Sequence, residues 1–230
     1  MTELRVKRLG RVPYMLADEL QNSLAAAKRR DREIADYLLM MELEPVVTLG
    51  TGGRRDQVLV DLRELRERGI EFLEADRGGG AAYHGPGQLT VYPIMDISRE
   101  RDLHAYVRGL EAVALGVLDD LGIAGCSSEG LTGVWVGERK IAAIGIRVRG
   151  WVTSHGLALN IDPDLAAYDL IAQCGLPDKG VTSIACERGS VPTARVVGDR
   201  FIEHFGRIFP ARNNNREPWP TAPLPRAAVG

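Results

Sequence analysis

Four side chains in this sequence have the chemistry of a reactive site: Cys174, Lys140, His84 and His155. Cys174 is followed by Gly175 and soon by a proline, so it lies in a loop and not within an apolar stripe. The thiolate is the reactive form, and an unperturbed thiol is only a few per cent ionised at pH 7. A nucleophilic Cys174 therefore needs a positive charge nearby; the alternative is an inert loop residue.

Lys140 is the candidate for that charge because it stands at the head of an apolar strand, residues 141–146. An ammonium about 4 Å from a thiolate contributes on the order of 4 kcal/mol at an effective dielectric constant of about 20. That energy corresponds to roughly three pKa units, less where solvent penetrates, and it makes the thiolate dominant at neutral pH. The alternative is a hairpin lysine that points into solvent.

The remaining cysteines, Cys126 and Cys186, bring the total to three, and no Cys-x-x-Cys spacing occurs. An odd number without that spacing disfavours a disulfide framework and a zinc site. At least one thiol is therefore expected to be free.

Two histidines are candidates for the site. His84 and His155 are predicted at junctions of strands and loops, where polar groups converge on clefts. His104 and His204 fall on amphipathic helices and read as ordinary surface or packing residues. A metal held by His84, His155 and a carboxylate has no supporting ligand spacing, so we predict neither a metal nor a cofactor.

A glycine-rich stretch, residues 77–88, contains five glycines, one proline, an arginine, a tyrosine and a histidine. The flanking segments, residues 70–75 and 89–94, are predicted as strands, and a plain connection between strands needs only two to five residues. Glycine lets backbone approach a bound group closely, so we expect this loop to wrap a ligand; the alternative is a flexible loop. A second glycine cluster, residues 50–55, matches neither the dinucleotide fingerprint nor the P-loop.

Bulk properties narrow the class of protein. A net charge of -2 over 230 residues gives no basic excess for nucleic acid. No apolar run reaches the roughly 18 residues of a membrane span, and the first residues lack the apolar core of a signal peptide. The expectation is a cytoplasmic protein that binds neither nucleic acid nor membrane.

Hydrophobic periodicity predicts helices and strands mixed without strict alternation. We therefore expect a single α/β (α+β) catalytic domain, residues 1–210, with a mixed β-sheet flanked by helices, followed by a flexible Pro-rich tail, residues 211–230. The predicted helices are 14–34, 59–68, 103–121 and 193–209; the predicted strands are 4–9, 37–41, 45–49, 70–75, 89–94 and 153–161, with a hairpin of 132–136 and 140–148.

Four motifs in order resemble those of the lipoyl(octanoyl) transferase family. They are the Arg-Gly-Gly loop running into His-Gly-Pro-Gly-Gln (residues 77–88), Lys-x-Ala-Ala-Ile-Gly (140–145), His-Gly-x-Ala-Leu-Asn (155–160), and Cys-Gly (174–175) followed by Val-Thr-Ser (181–183). Two positions depart from the family pattern: Ala82 replaces the usual threonine, and Leu43 replaces a common histidine after Glu42. Both departures leave the Lys and Cys positions intact, so they affect affinity or positioning more than the reaction.

The resemblance implies the fold of the biotin and lipoate protein ligases and a transfer of octanoyl from octanoyl-acyl carrier protein to a lysine of a lipoyl domain. The acceptors implied are the lipoyl domains of 2-oxo acid dehydrogenase complexes and the glycine cleavage H protein. Cys174 would form an acyl-enzyme, and Lys140 would lower the thiol pKa and move protons. The substrate-binding residues implied are Arg77, Gly78, Gly79, Gly80, Ala81, Ala82, Tyr83, His84, Ala143, Ile144, Gly145, Gly156, Leu157 and Ala158.

Three other functions fit parts of the pattern. An ATP-dependent lipoate or biotin ligase shares the fold, but its loop normally continues from histidine to aspartate, whereas Gly85 follows His84 here. A non-catalytic module that binds acyl chains would leave the acceptor unchanged. A thiol hydrolase would release free acid, because water and not an amine would resolve the acyl-cysteine.

Overall fold

The computed structural model of the chain describes residues 3–128, 130–172 and 180–210. The helices are α1 (Tyr14–Arg30), α2 (Leu62–Glu67), α3 (Leu103–Asp120), α4 (Ile184–Arg188) and α5 (Ala194–Ile208). The strands are β1 (Leu4–Val12), β2 (Asp36–Leu43), β3 (Val46–Leu49), β4 (Glu71–Glu74), β5 (Ala81–His84), β6 (Gln88–Ile94), β7 (Cys126–Ser128), β8 (Leu131–Val136), β9 (Arg139–Arg149), β10 (Val152–Asn160) and β11 (Gly180–Val181).

The larger sheet is mixed, as predicted, and runs in the order β1-β2-β6-β10-β9-β8-β7, with β11 beside the start of β9. Strand β2 pairs parallel with β1 and antiparallel with β6, so it is an interior strand. Its continuous apolar run is explained by burial on both faces, because Leu38 and Met40 enter one core cluster while Leu39 and Met41 enter another.

Helices cover both faces of this sheet. The side chains of α3 and α5 pack in the first cluster, where Phe201 and Phe205 are fully buried. Helix α1 covers the other face and ends at Arg30, four residues earlier than its apolar pattern predicts. The reason is Lys28, whose buried ammonium donates to the carbonyl oxygens of Arg32 (3.2 Å) and Ile34 (2.6 Å) and thereby holds the chain out of the helix.

The glycine-rich stretch is not one loop. Residues Ala81–His84 form β5, which joins β3 and β4 in a separate three-stranded sheet of order β4-β3-β5. The strand after the stretch, β6, belongs to the large sheet. The stretch therefore carries the chain from one sheet to the other, which explains why it is longer than a hairpin turn. The sequence also gave no indication of β7, β11 or α4.

The predicted loop around Cys174 and the predicted tail, residues 211–230, lie outside the described residues. Among the residues that are described, no helix is long and apolar enough to cross a membrane.

Candidate active site

A pocket of about 490 Å³ lies between the glycine-rich stretch and strands β9 and β10. It collects nearly all of the predicted site residues: Lys140, Arg77, Gly78, Gly79, Gly80, Ala81, Ala82, His84, Ala143, Ile144, Gly145, Gly156, Leu157 and Ala158. Among the described site residues, Tyr83 is the exception; it alternates to the other side of β5, lines a smaller cavity of about 50 Å³, and packs edge-on against Tyr168. Leu43 is fully buried under α1 and does not line the pocket.

Small residues from two strands form one wall of the pocket. Gly145 pairs with Gly156 across β9 and β10, and Ala143 pairs with Ala158. A Cβ added at Gly156 would clash with the carbonyl oxygen of Val91 on β6, so this position accepts only glycine. The register thus leaves a shallow, largely apolar shelf that can accommodate a flexible chain.

The opposite wall is the Gly78–Gly80 backbone, held in place by the second glycine cluster. The amides of Gly50 and Gly52 donate to the carbonyl oxygens of Gly80 and Gly79, each at 3.1 Å. A Cβ at Gly50 would collide with the carbonyl oxygen of Gly79, which explains the glycine there. The second cluster therefore supports the ligand-facing loop.

Arg77 acts on the same loop. Its guanidinium is almost fully buried and donates to the Thr48 carbonyl oxygen (2.8 Å) and to the Gly78 carbonyl oxygen (3.1 Å). A side chain used in this way fixes the backbone of the loop, and its positive charge lies in the lining of the pocket.

Lys140 is buried, with 8% of its surface exposed, and does not point into solvent. Its Nζ lies 4.7 Å from the ring centroid of Trp135, on the neighbouring strand β8. On its other side, Lys140 pairs with Val181 of β11. Cys174 falls between residues 172 and 180, outside the described part of the chain, so its relation to Lys140 stays a prediction.

A buried polar network joins His84 to the strand that carries Lys140. His84 Nδ1 lies 2.7 Å from Gln88 Oε1, and Gln88 Nε2 donates to Asn160 Oδ1 (3.0 Å). Asn160 Nδ2 then donates to the Thr182 carbonyl oxygen (3.0 Å), and the Thr182 amide donates to the Lys140 carbonyl oxygen (3.0 Å). Burial and the nearby charge of Arg77 lower the pKa of His84 to about 4, so this histidine is neutral at pH 7.

His155 lies in the middle of β10 and not at a junction, which corrects the sequence expectation. Its backbone φ of 53° lies in the left-handed region of conformational space. Its backbone amide donates to Gln21 Oε1 of α1 (2.6 Å). Its Nε2 lies 2.7 Å from Asp76 Oδ1, just before the glycine-rich stretch. Burial lowers the pKa of His155 to about 4. His155 therefore links α1, β10 and the start of the loop as a neutral side chain.

Within the described part of the chain, one set of side chains has the geometry to approach a cation: Asp18, Asp76 and His155 offer ligand atoms within 4.8 Å of one another. Arg147 already forms an ion pair with Asp76 and so supplies a positive charge there. His84 does not belong to this set, so the pairing of His84 with His155 around a metal does not form among the described residues.

Sequence reasoning missed several residues of the site. Gln88 and Asn160 stand inside two of the motifs, yet only the structure gives them a role in the network. Thr90 and Tyr92 also line the pocket; their alternation on a predicted strand placed them on one face but gave no indication of which face. Other additional lining residues are Gly52, Gln57, Val107, Gly130, Leu131, Thr132 and Ile146.

The chain matches the family model described as the lipoyl protein ligase A/B catalytic domain over residues 13–206. It is 46% identical over 213 residues to an octanoyltransferase of Chloroflexus aurantiacus, covering 91% of this chain and 95% of the relative. It is 47% identical over 205 residues to an octanoyltransferase of Solibacter usitatus, covering 89% and 92%.

Among solved structures, a lipoate protein ligase of Thermoplasma acidophilum with bound lipoic acid has a TM-score of 0.68 at 21% identity, covering 90% of this chain and 86% of that one. A biotin protein ligase of Aquifex aeolicus in complex with biotin and ATP has a TM-score of 0.56 at 10% identity, covering 88% and 69%. These two likenesses show the fold that the lipoate and biotin ligases share.

The fold thus places the chain in the class of catalytic domains that share the lipoate and biotin ligase fold. Within that class, the chain belongs to the lipoyl protein ligase A/B family. The fold and the family expected from the four motifs are both confirmed.

Proposed function

We propose that this protein takes an octanoyl group from octanoyl-acyl carrier protein and passes it, through a thioester on Cys174, to a lysine of a lipoyl domain. Octanoyl transfer in lipoate biosynthesis is supported by octanoyltransferase relatives that are 41% to 50% identical over much of the chain. The observation that carries the proposal is the burial of Lys140 at an apolar pocket.

Chain connectivity supports the role of Cys174. Ala172, two residues before it, donates its amide to the carbonyl oxygen of Gln57 (2.7 Å), and Gln57 lines the pocket. On the other side, Gly180 and Val181 pair with the start of β9, where Lys140 lies. Both ends of the segment that contains Cys174 are therefore tied beside the pocket.

The first half-reaction is a thioester exchange. The thiolate of Cys174 attacks the carbonyl carbon of the octanoyl thioester, a tetrahedral oxyanion forms, and the C–S bond to the carrier breaks. The departing carrier thiolate takes up a proton, for which the Lys140 ammonium is the nearby donor. Residues 77–82, 84, 143–145 and 156–158 line the pocket, and their backbone amides are the candidates to stabilise the oxyanion.

The second half-reaction forms the amide. The neutral amine of the acceptor lysine attacks the acyl-cysteine, its excess proton passes to a base such as neutral Lys140, and the Cys174 thiolate leaves. Thioester exchange is nearly balanced and amide formation from a thioester is downhill, so no nucleotide is consumed. Burial of the seven tail carbons on the apolar shelf contributes roughly 5 to 6 kcal/mol at about 0.8 kcal/mol each.

The products distinguish this reaction from its alternatives. The protein should be incubated with octanoyl-acyl carrier protein and a lipoyl domain in nucleotide-free buffer, and the acceptor mass should be followed. We expect one octanoyl group on the acceptor lysine and no effect of added ATP. Modification that requires ATP would show a ligase, free octanoate without modified acceptor would show a hydrolase, and an unchanged donor would show a binding module.

A further inference from the structure

A cluster of arginines lies where the end of α1 meets the end of β9. We call Arg29, Arg30, Arg32, Arg147 and Arg149 the arginine patch. Arg32 Nη2 donates to the carbonyl oxygen of Gly150 (2.7 Å), and the Cδ of Arg29 lies 3.6 Å from where a Cβ of Gly150 would stand. Arg149 directly precedes Gly150, and Arg147 points to the same face of β9 two residues earlier. The patch is therefore a contiguous surface built from two elements.

Carboxylates balance only part of the patch. Arg32 pairs with Asp96 (2.9 Å) and Arg147 pairs with Asp76. Arg29, Arg30 and Arg149 form no ion pair with any residue of 3–128, 130–172 or 180–210. Arg30 and Arg149 are also exposed, so their charges face solvent.

The field at the centre of the patch is positive. Burial together with the charges of Arg149, Arg147, Arg32 and Arg30 lowers the pKa of Arg29. The exposed carboxylates of Asp31 and Glu33 follow it in the sequence, but neither is among the groups that shift this pKa. In a protein with a net charge of -2, such a concentration of unneutralised guanidinium groups favours an acidic partner.

The patch is continuous with the mouth of the pocket. Gly145, two residues before Arg147 and so on the same face of β9, lines the pocket, and the carbonyl oxygen of Ile146 between them accepts from the amide of Gly78 (2.9 Å). Lys140 lies seven residues before Arg147 on β9. At about 3.3 Å per residue, the backbone distance between these two residues is roughly 23 Å. A partner docked on the patch must therefore deliver its reactive atom over a distance of that order.

Of the two proteins in the proposed reaction, the donor has such an arm. A phosphopantetheine thioester extends on the order of 15 to 20 Å from its carrier, whereas an acceptor lysine extends on the order of 6 Å from its domain. We propose that the arginine patch is the docking surface of the acyl-donor protein, an acidic carrier with a pantetheine arm. This assignment rests on the proposed function and adds to it the place where the donor binds.

The test compares a protein donor with a small one. The variants are the double substitution Arg30→Glu with Arg149→Glu, and as a control the substitution Arg195→Glu, which changes an exposed arginine on α5, across the sheet from α1. Acylation of the enzyme should be measured by rapid-quench mass spectrometry, once with octanoyl-acyl carrier protein and once with octanoyl-pantetheine. Transfer from preformed acyl-enzyme to a lipoyl domain should be measured separately.

We expect the double variant to lose at least 10-fold in kcat/KM with the carrier protein and most of its dependence on ionic strength. We expect its rate with octanoyl-pantetheine to stay within 2-fold of the unsubstituted protein. Behaviour equal to that of Arg195→Glu would overturn the proposal, and so would a loss confined to the transfer to the lipoyl domain. If neither octanoyl-pantetheine nor octanoyl-acyl carrier protein acylates the unsubstituted protein, the proposed function is contradicted, and the donor assignment with it.

Discussion

The amide of Thr182 donates a hydrogen bond to the carbonyl oxygen of Lys140, at 3.0 Å. Thr182 follows the segment that contains Cys174, and Lys140 is the second residue of β9. This bond, continued by the bond of Asn160 to Thr182, holds the chain that follows the segment of Cys174 against the strand of Lys140. Several predictions of the proposed mechanism depend on that connection.

Removal of the Asn160 side chain should weaken both stability and acylation. In Asn160→Ala, the Thr182 carbonyl oxygen and the Gln88 amide lose a buried partner, which costs about 2 to 4 kcal/mol in the free energy of unfolding. We also expect acylation to slow at least 10-fold, because Thr182 is no longer held against β9. Urea unfolding and the rate of acyl-enzyme formation measure the two effects.

Tyr168→Phe is the matched control for Asn160→Ala. It removes a hydroxyl that bonds Asn160 (2.8 Å) and Gln88 (2.8 Å) but leaves the contact of Asn160 with Thr182 in place. We expect a loss of about 1 kcal/mol in stability and an acylation rate within 2-fold of the unsubstituted protein. Equal slowing in both variants would show that the network affects the rate only through general stability.

The two buried histidines should make the protein less stable in mild acid. His84 and His155 each have a folded-state pKa of about 4, below the unfolded value of about 6.5. Between these values the unfolded chain binds more protons, so the free energy of unfolding falls as the pH falls from 6.5 towards 4. The slope approaches about 1.4 kcal/mol per pH unit for each histidine.

Unfolding curves from pH 4.5 to 7 with substituted proteins test this linkage. His84→Gln removes one titrating group and should reduce the slope by up to about 1.4 kcal/mol per pH unit. Identical slopes in His84→Gln and the unsubstituted protein would show that His84 is not buried as a neutral side chain.

The shelf of small residues should set the length of the acyl chain. In Ala143→Leu, three extra carbons project into the pocket and leave less room for the tail. We expect the preferred chain to become shorter, with selectivity changing about 10- to 200-fold for each methylene displaced. Competition between hexanoyl and octanoyl donors measures the shift, and Ala26→Leu on α1 serves as the control. An unchanged preference would place the tail elsewhere.

Local patterns in the sequence were sufficient for much of the fold. The apolar run of β2, the stripe of α3 and the hairpin of β8 and β9 were all predictable, because burial imposes a short-range period on each. The glycine-rich stretch was misread as one loop because its strand, β5, pairs with β3, more than thirty residues earlier. Pairing between strands so far apart in the sequence does not change the local pattern of apolar and polar residues, so that pattern could not predict it.

Some residues of the site could likewise be predicted from the sequence, and others could not. The family resemblance implied most of the residues that line the pocket, and the place of Lys140 at the head of an apolar strand singled out that side chain. The buried links from His84 through Gln88 and Asn160 were not predictable, since an amide side chain has no preferred partner in the sequence. The position of His155 within β10 was missed because only tertiary contacts with Gln21 and Asp76 hold its unusual φ.

The central claim is that Cys174 becomes acylated with the help of Lys140, and intact-mass spectrometry after exposure to octanoyl-acyl carrier protein tests it most directly. We predict one octanoyl adduct on the unsubstituted protein, an adduct formed at least 100-fold more slowly on Lys140→Ala, and none on Cys174→Ser; Cys126→Ser and Cys186→Ser should label normally. An adduct that persists on Cys174→Ser, or that forms at the normal rate on Lys140→Ala, would contradict the mechanism.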